Sequence, residues 1–530
     1  MMPWWVLAVF VLGANFALWG SVGLVRLAGS VAARRRRGRS QAGPGLAGPR
    51  LASTVNGGTV MAVTARGDQE DHLRPRPPPA ASPEPASPEP ASPGSVSSLE
   101  TSSLAIPSLT TSDVAVLIPA HNEALVIEES LRSIMALVPR RNVHVVSDGS
   151  TDATVEIARR AGARVIETWE NVGKAGALED AIDRFDLIQR FPVVMLLDAD
   201  TRVEPGYFTA ALPMFDHPQV VAVAGCVRTA RDRRMTLGGK VLVGHRTRIY
   251  AVGQRALKFG QTWLRSNATP IVPGFASLYR TDVLPQMEMN PPGLVIEDFN
   301  MTFEVYQKRL GKVGFTLQAV AVTQDPDNLR DYVRQTRRWA IGLWQTVRRH
   351  PPQANLFTAM LTLLLIELIT SSLLFFLLPL ALIVLAVPDL IGNAVSWPGF
   401  GEVHTVVAAH LTLTAVLFGV VLPDYLLTCA VAILERQPRL LLLGVFFPFM
   451  RMIDAGIGLY AIPAAWLARS SGRWKSPARR AVEGAVPVAA PGPEPGPAVP
   501  AEAVPELAPP GASSQPNSPA HVAEASHVSG

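Results

Sequence analysis

Three long apolar stretches in the second half of the chain constrain its fold more than any other feature. They run from Leu356 to Val387, from Val403 to Leu434 and from Leu440 to Leu467. Each is longer than the ~20 residues that a helix needs to cross the hydrocarbon core of a bilayer. The hydrophobic fraction of the whole chain, 48%, agrees with a protein that lies partly in lipid. A wholly soluble fold is therefore excluded.

The number of crossings in this region, residues 351–468, stays open between two and three. The loop from Pro388 to Glu402 has no Lys or Arg, which indicates the outer side, whereas residues 435–439 and 469–480 are basic, which indicates the inner side. Two crossings satisfy these signs and three do not. The third stretch also carries Arg451 and Asp454, which favours protein contacts or a position in the interface plane for part of it.

A further apolar run, Trp4 to Val25, opens the chain. It has no basic residue before it and the segment RRRRGR, residues 34–39, after it. A cleaved signal peptide shows the reverse order of charges. We therefore predict a transmembrane helix in residues 1–27, with the following chain in the cytoplasm.

Two segments have the composition of disordered chain. Residues 28–110 are rich in Pro, Ala, Gly and Ser and include the repeat ASPEPASPEPASP, and residues 469–530 are similar. We predict a linker and a tail that carry no chemistry.

Between them, residues 111–350 alternate short β-branched runs with amphipathic stretches of helical length. DVAVLIP, NVHVVSD and FPVVMLLDAD are predicted strands, and EALVIEESLRSIMALV and DATVEIARRAG are predicted helices. This alternation predicts an α/β domain with a mostly parallel sheet covered on both faces. In such sheets ligands bind outside the carboxyl ends of the strands.

Carboxylates follow two of these strands. Asp198 and Asp200 stand at i and i+2, so their side chains project to the same side of the strand. Two carboxylates on one side are suited to bind a hard divalent cation. The alternative is that both residues are helix caps in an exposed turn. Asp148 lies in a Gly-Ser turn, where it either binds a ligand or caps the helix that starts near Thr151.

A second acidic pair, Glu297 and Asp298, follows an apolar segment and begins a predicted helix. One of these carboxylates is suited to accept a proton from an attacking hydroxyl as a general base. The alternative is favourable electrostatics with the helix dipole.

The basic segment VRQTRRWAIGLWQTVRRH, from Val333 to His350, directly precedes the apolar region. Gln335, Arg338 and Trp339 stand at i, i+3 and i+4 and so share one helical face. Amide and guanidinium groups bind phosphate oxygens, and an indole face suits a sugar ring. An interfacial belt is the better interpretation of the remaining aromatic and basic side chains, Trp344, Arg348 and Arg349.

Charge and cysteine content exclude other classes of site. The net charge of +5 comes with Arg clusters that flank apolar segments, which indicates a membrane surface rather than nucleic acid. The two cysteines, Cys226 and Cys429, are too few for a disulfide framework or a cysteine zinc site.

The ordered set of Asp148, Asp198-x-Asp200, Glu297-Asp298 and Gln335-x-x-Arg338-Trp339, followed by apolar helices, resembles the membrane-embedded family 2 glycosyltransferases. That family includes the synthases of cellulose, chitin, hyaluronan and poly-N-acetylglucosamine. The resemblance spans about Val114 to Arg349 and the membrane region, and QxxRW is its most specific element. It implies a cytoplasmic GT-A fold, a nucleotide-sugar donor, Mg²⁺ or Mn²⁺, and inversion at the anomeric carbon.

The resemblance also implies a role for each matching residue. On the donor side, the resemblance places Glu123 and Asp148 at the base and ribose, and Lys174 and Asp198 at the nucleotide. It places Gln335 and Arg338 at the pyrophosphate and Asp200 at the metal. Asp298 would be the general base, and the acceptor would lie against Gly274, Glu297 and Trp339. Two departures are Asn300, where many members have an acid, and Ser147, where many have the first aspartate of a DDGS turn.

We therefore expect an inverting, processive glycosyltransferase (a hexosyltransferase) of the cell membrane, with several crossings and a cytoplasmic catalytic domain. Its expected partners are a nucleotide sugar, which the resemblance implies is a UDP-sugar, a growing β-linked extracellular polysaccharide and membrane lipid. A non-processive transferase with a lipid acceptor is the alternative enzyme. A transporter or scaffold with a degenerate nucleotide-binding domain is disfavoured because the expected carboxylates are present.

Overall fold

The computed structural model of the protein describes residues 3–41, 108–230 and 235–467, and the side chains of these except for 31–41. Most of the predicted linker, residues 42–107, and the predicted tail lie outside the described residues.

The N-terminal apolar run forms two helices instead of the predicted single one. Helix α1 is Trp4–Leu12 and helix α2 is Ala14–Gln41, with a bend of 66° between them. The break falls at Gly13, whose φ of 90° an L side chain rarely adopts. Helix α2 also continues past residue 28, where the sequence predicted linker to begin.

Within the described residues, eight strands form one sheet. They are β1 Val114–Ala120, β2 Val143–Ser147, β3 Arg164–Glu167, β4 Val193–Leu197, β5 Arg202–Val203, β6 Val220–Thr229, β7 Ala276–Arg280 and β8 Lys312–Thr323. Their spatial order is β3-β2-β1-β4-β7-β6-β8-β5. The sheet is mixed, because β3, β2, β1 and β4 are parallel while β7 runs antiparallel to β4 and β6, and β5 antiparallel to β8.

The polarity of the sheet places several chain segments at one edge. Strands β1, β2, β4, β6 and β8 point the same way, and the reversed strand β7 begins where they end. We call this border, which follows Ala120, Ser147, Leu197, Thr229 and Thr323, the carboxyl edge.

The helices of this region cover both faces of the sheet. They are α3 Ile127–Met135, α4 Thr154–Ala161, α5 Gly173–Arg184, α6 Leu187–Arg190, α7 Tyr207–Ala211, α8 Leu237–Val252, α9 Phe259–Gln261, α10 Glu297–Gln307 and α11 Leu329–Arg349, with a π-helical turn, Gly253–Lys258, between α8 and α9. Alternate residues of β1 enter opposite cores: Val116 packs with α3, whereas Leu117 packs with α5. The predicted α/β class is confirmed.

The C-terminal region is helical throughout its apolar stretches. Its helices are α12 Leu356–Leu390, α13 Phe400–His410, α14 Leu413–Val416, α15 Leu422–Leu434, α16 Arg439–Leu443 and α17 Phe447–Leu467. The second predicted stretch is interrupted after His410, because Thr412 caps a new helix by accepting a hydrogen bond from the Ala415 N–H (3.0 Å).

By length and composition, three helical segments of the described residues are able to cross a membrane: Leu356–Leu390, Leu413–Leu434 and Arg439–Leu467. A fourth crossing results if α1 and the apolar part of α2 form one broken span. Helix α11 packs along α17, so that Trp344 is buried against it and the Arg348 guanidinium lies 5.8 Å from the Trp466 ring.

Candidate active site

Asp198 lies at the carboxyl edge, directly after β4. Its backbone N–H donates to the carbonyl of Phe275 (2.9 Å), the residue before β7, and this bond fixes the start of the reversed strand beside it. Its carboxylate forms an ion pair with the Lys174 ammonium, with Oδ1 and Nζ 2.9 Å apart.

Lys174 is the second residue of α5 and joins two acidic segments. Its Nζ lies 2.9 Å from Glu297 Oε1 as well as 2.9 Å from Asp198 Oδ1. Burial opposes the charged ammonium, but Asp198, Glu297 and Asp298 outweigh it and hold the pKa of Lys174 well above its ordinary value. Lys174 is therefore a fixed positive charge among three carboxylates.

Glu297 and Asp298 begin α10, as predicted, but their environments differ. Glu297 is held ionised, because the Lys174 ammonium outweighs burial and lowers the pKa of its carboxyl. Asp298 accepts a hydrogen bond from the Gly274 N–H at Oδ2 (2.8 Å). Burial first, and then the Glu297 charge, raise the pKa of Asp298 to about 7. Of the pair, Asp298 is the carboxyl able to exchange a proton near neutral pH.

Gly274 permits this arrangement because it has no side chain. A Cβ at this position would lie 2.7 Å from Asp298 Oδ1 and 3.0 Å from Lys174 Nζ. Gly274 thus lies directly against the Asp298 carboxylate and the Lys174 ammonium.

Asp200 lies two residues beyond Asp198 and faces polar neighbours. The hydroxyls of Thr201 and Thr323 each stand 3.3 Å from its carboxylate oxygens. No cluster of three or more His, Cys, Asp or Glu side chains suited to a metal occurs among the described residues. Two oxygen-donor carboxylates fit Mg²⁺ or Mn²⁺, since Mg²⁺ commonly takes one or two carboxylates and fills its other positions with water and phosphate oxygens.

Asp148 is placed differently from the other predicted residues. Its buried carboxylate accepts hydrogen bonds from the N–H groups of Val172 (2.8 Å) and Gly173 (3.0 Å), at the start of α5. It thus holds the helix that carries Lys174, rather than capping the helix after Thr151, where Asp152 accepts from the Thr154 N–H (3.0 Å). Asp148 does not line the cavity described below.

Gln335, Arg338 and Trp339 lie on α11 and share a face, as predicted, and a residue that sequence reasoning missed contacts two of them. Arg246 of α8 is buried, with its guanidinium 4.5 Å from the Trp339 ring centroid. Its Nη2 donates to Gln335 Oε1 (3.3 Å). The segment around Arg246 has no motif, so nothing in the sequence pointed to it.

Asn300, the departure from the family pattern, faces away from this site. Its Nδ2 donates to the Glu288 carbonyl (2.6 Å), and its Oδ1 lies 2.8 Å from His350 Nε2 at the end of α11. The residue therefore ties α10 to the end of α11.

A cavity of about 970 Å³ joins these groups. It extends from the carboxyl edge past α8 and α11 to Leu364 of α12. The predicted site residues that line it are Glu123, Lys174, Asp198, Asp200, Glu297, Asp298, Gln335, Arg338 and Trp339. This volume is at the upper end of the range for small-molecule sites, about 300–1,000 Å³.

The family profile described as glycosyltransferase-like family 2 matches residues 112–342. Those residues, which make up less than half of the chain, are similar to a family 2 glycosyltransferase domain. The matched region contains both the carboxyl edge and the QxxRW segment.

Two curated relatives match part of the chain. The uncharacterised glycosyltransferase YaiP of Escherichia coli is 28% identical over 254 residues, which cover 46% of this chain and 60% of the relative. A dolichyl-phosphate hexose transferase of Haloferax volcanii is 36% identical over 107 residues, which cover 20% of this chain and 45% of the relative. The chain thus matches less than two thirds of either relative.

Among solved structures, a mannosyltransferase from Pyrobaculum calidifontis in complex with GDP-Man and Mn²⁺ aligns with a TM-score of 0.42 and 19% identity. The alignment covers 66% of this chain and 87% of that one.

Proposed function

We propose that the protein transfers a sugar, with inversion, from a nucleotide sugar to a hydroxyl of an acceptor that reaches the cavity from the membrane side. The observation that carries this proposal is the position of Asp298. It is a half-buried carboxyl with a pKa of about 7, held by the Gly274 N–H in a cavity that also contains Asp198 and Asp200. It has the proton affinity that a general base needs at neutral pH.

In the proposed reaction the acceptor hydroxyl gives its proton to an Asp298 carboxylate oxygen as its own oxygen attacks the anomeric carbon. The bond from that carbon to the donor diphosphate breaks, and the nucleoside diphosphate leaves. Glu297 keeps Lys174 in place (2.9 Å), and the guanidinium of Arg338 is available to the diphosphate oxygens. The ring of Trp339 forms the platform for the acceptor sugar.

Asp200, with Asp198 beside it, would hold Mg²⁺ or Mn²⁺ against the donor diphosphate. The cation supplies positive charge that stabilises the leaving diphosphate, so a general acid is not required. We expect calorimetric titration with UDP to show binding that strengthens with Mn²⁺ in the native protein. In Asp200→Asn that dependence should disappear, and its persistence would move the metal elsewhere.

The acceptor has two candidates. The shared face of Gln335, Arg338 and Trp339 supports a growing β-linked polysaccharide and processive transfer. A lipid-linked acceptor is favoured by the extension of the cavity to Leu364 of α12 and by the name of the Haloferax relative. In either case we propose a multi-pass membrane enzyme with its catalytic domain on the cytoplasmic side, where nucleotide sugars occur.

Membranes that contain the full chain, incubated with each radiolabelled nucleotide sugar in turn, test the function and separate the two acceptors. Label in a large product that resists lipid extraction supports the polysaccharide, and label in a small organic-soluble product supports the lipid-linked acceptor. Absence of transfer from every donor would refute the proposed function.

A further inference from the structure

Lys258 is a buried cation in the cavity that the proposed reaction does not use. It is the last residue of the π-helical turn between α8 and α9, and 9% of its surface is exposed. Its Nζ lies 5.9 Å from the centroid of the Phe315 ring. No described carboxylate lies within ion-pair distance of this ammonium, and no described acceptor takes a hydrogen bond from it.

The other cationic side chains of the cavity differ from Lys258. Lys174 is ion-paired with Asp198 and Glu297, and Arg334 is ion-paired with Asp331 (2.9 Å). Arg338 is exposed on α11. Among the described residues that line the cavity, Lys258 is thus the cation that is buried and lacks an ionic partner.

A buried ammonium without a partner loses hydration that no other group replaces. Burial lowers the pKa of Lys258 to about 8, against the opposing effects of Cys226 and Asp298. The side chain therefore still carries its charge for most of the time at pH 7. An anion placed against it would supply the missing partner.

The wall of the cavity on the membrane side is apolar. Leu257 and Phe299 line the cavity and also belong to the cluster that contains Trp19 of α2 and Phe357 of α12. Leu364, further along α12, completes this wall. A hydrocarbon chain fits such a surface, and the three side chains Leu257, Phe299 and Leu364 offer no hydrogen-bond partner to a free nucleotide or sugar.

From the buried ammonium and the apolar wall together, we propose that Lys258 binds the phosphate ester of a lipid-linked acceptor. The lipid chain lies against Leu257, Phe299 and Leu364, and the acceptor hydroxyl faces Asp298. This inference rests on the proposed function and selects the lipid-linked acceptor from its two candidates.

The test compares the binding of a polyprenyl phosphate with that of the matching polyprenol to the purified full-length protein in detergent. A hydrogen bond to a charged group contributes about 1.5–3 kcal/mol, so the native protein should prefer the phosphate by about 10- to 150-fold. Lys258→Met should lose this preference, and Lys258→Arg should keep it. The matched control is Lys240→Met, which removes an exposed cation from the same helical segment and should change nothing.

Three results would overturn the inference: a native protein that does not prefer the phosphate, a Lys258→Met variant that retains the preference, or inorganic phosphate that binds as tightly as the lipid. UDP affinity, measured on the same samples, should be equal in native protein and Lys258→Met. A parallel loss would instead assign Lys258 to the donor diphosphate. The first result is informative even if Lys258→Met fails to fold.

The labelled-sugar assay separates this inference from the proposed function. Sugar transfer without discrimination between the two lipids would refute the lipid-phosphate site alone. Discrimination that depends on Lys258, without transfer from any donor, would refute the proposed function alone.

Discussion

At the scale of single residues, Asp298 has a structural interpretation and a chemical one that a single substitution separates. Asparagine has nearly the same size and can still begin α10, but it cannot accept a proton. If Asp298 is the general base, Asp298→Asn should lower turnover by about 10²- to 10⁴-fold, with donor affinity nearly unchanged. Initial rates and UDP binding on one purified sample provide the measurement. Asp282→Asn, an exposed change in the same domain, is the control.

The pKa of Asp298 also predicts a pH dependence. Burial and the Glu297 charge raise that pKa to about 7, so the base form is present above this pH and is lost below it. The rate of transfer in the native enzyme should therefore rise as the pH increases through about 7 and then level off. A rate that stays flat from about pH 5.5 to about pH 8.5, roughly one and a half units on either side of that pKa, would contradict the assignment.

Gly274→Ala tests the geometry around this carboxyl. The added Cβ would come within 2.7 Å of Asp298 Oδ1 and 3.0 Å of Lys174 Nζ, so both side chains must shift. Because these atoms are the ends of side chains, we expect the domain to fold and transfer to fall by about 10-fold or more, since small misplacements of reacting groups are costly. Gly206→Ala is the matched control, because its Cβ would meet no atom within 4 Å. Equal activities of the two variants would show that the contact is unimportant.

At the scale of elements, α8 contacts α11 and positions two side chains of the QxxRW segment, Gln335 and Trp339. The Arg246 guanidinium lies between two rings of α11, 4.4 Å from Tyr332 and 4.5 Å from Trp339. The Tyr332 hydroxyl in turn donates to Asp454 Oδ1 of α17 (2.8 Å). Trp339, the proposed acceptor platform, is thus linked to α17 through stacked and hydrogen-bonded groups.

Arg246→Lys keeps the positive charge next to the rings of Tyr332 and Trp339 but removes the planar guanidinium that stacks on them. At about 0.5–2 kcal/mol for a cation–π contact, transfer to the acceptor should fall by about 2- to 30-fold. Hydrolysis of the donor by water should change less, because it does not need the Trp339 platform. Arg255→Lys, in the adjoining turn and paired with Glu435 (2.9 Å), serves as the control. A parallel fall in both activities would indicate a general packing role for Arg246.

At the scale of the whole molecule, a buried ionic cluster joins the catalytic domain to the membrane helices. Asp424 of α15 pairs with Arg248 of α8 (2.7 Å) and with Arg451 of α17 (2.8 Å). Arg451 also donates to the Val11 carbonyl of α1 (3.0 Å). Charges in such a position are costly unless they are paired.

Asp424→Asn should leave the buried guanidinium of Arg248 and the half-buried one of Arg451 without a counter-charge and lower the free energy of unfolding by about 3–5 kcal/mol. Thermal unfolding in detergent provides the measurement, with the exposed Asp389→Asn at the end of α12 as the control. Equal melting temperatures would show that water or lipid headgroups satisfy the two arginines.

The sequence predicted the parts of this molecule that depend on local pattern. The strands before Asp148 and Asp198, the helix that begins at Glu297 and the shared face of Gln335 and Arg338 follow from periodicity and capping, and they are observed. The reversed strand β7 did not follow, since strand direction depends on contacts between distant segments.

Arg246 and Lys258 were missed for the same reason. Each lies in a helical segment without a motif, and its role arises from what the fold places opposite it. The bend at Gly13 was missed because a long apolar run fits a straight helix equally well.

That bend has a consequence for how the chain is assembled during synthesis. Glu367 of α12 accepts hydrogen bonds from both the backbone N–H and the side-chain amide of Asn15 (2.9 Å each), just beyond Gly13. The partners are 352 positions apart, which corresponds to roughly 20 to 70 s of translation at about 5–20 residues per second. During that interval the N-terminal helices have left the ribosome, but Glu367, which accepts the two hydrogen bonds of Asn15, has not yet been synthesised. Its final bent geometry is therefore a late event, completed only once α12 has emerged beside it.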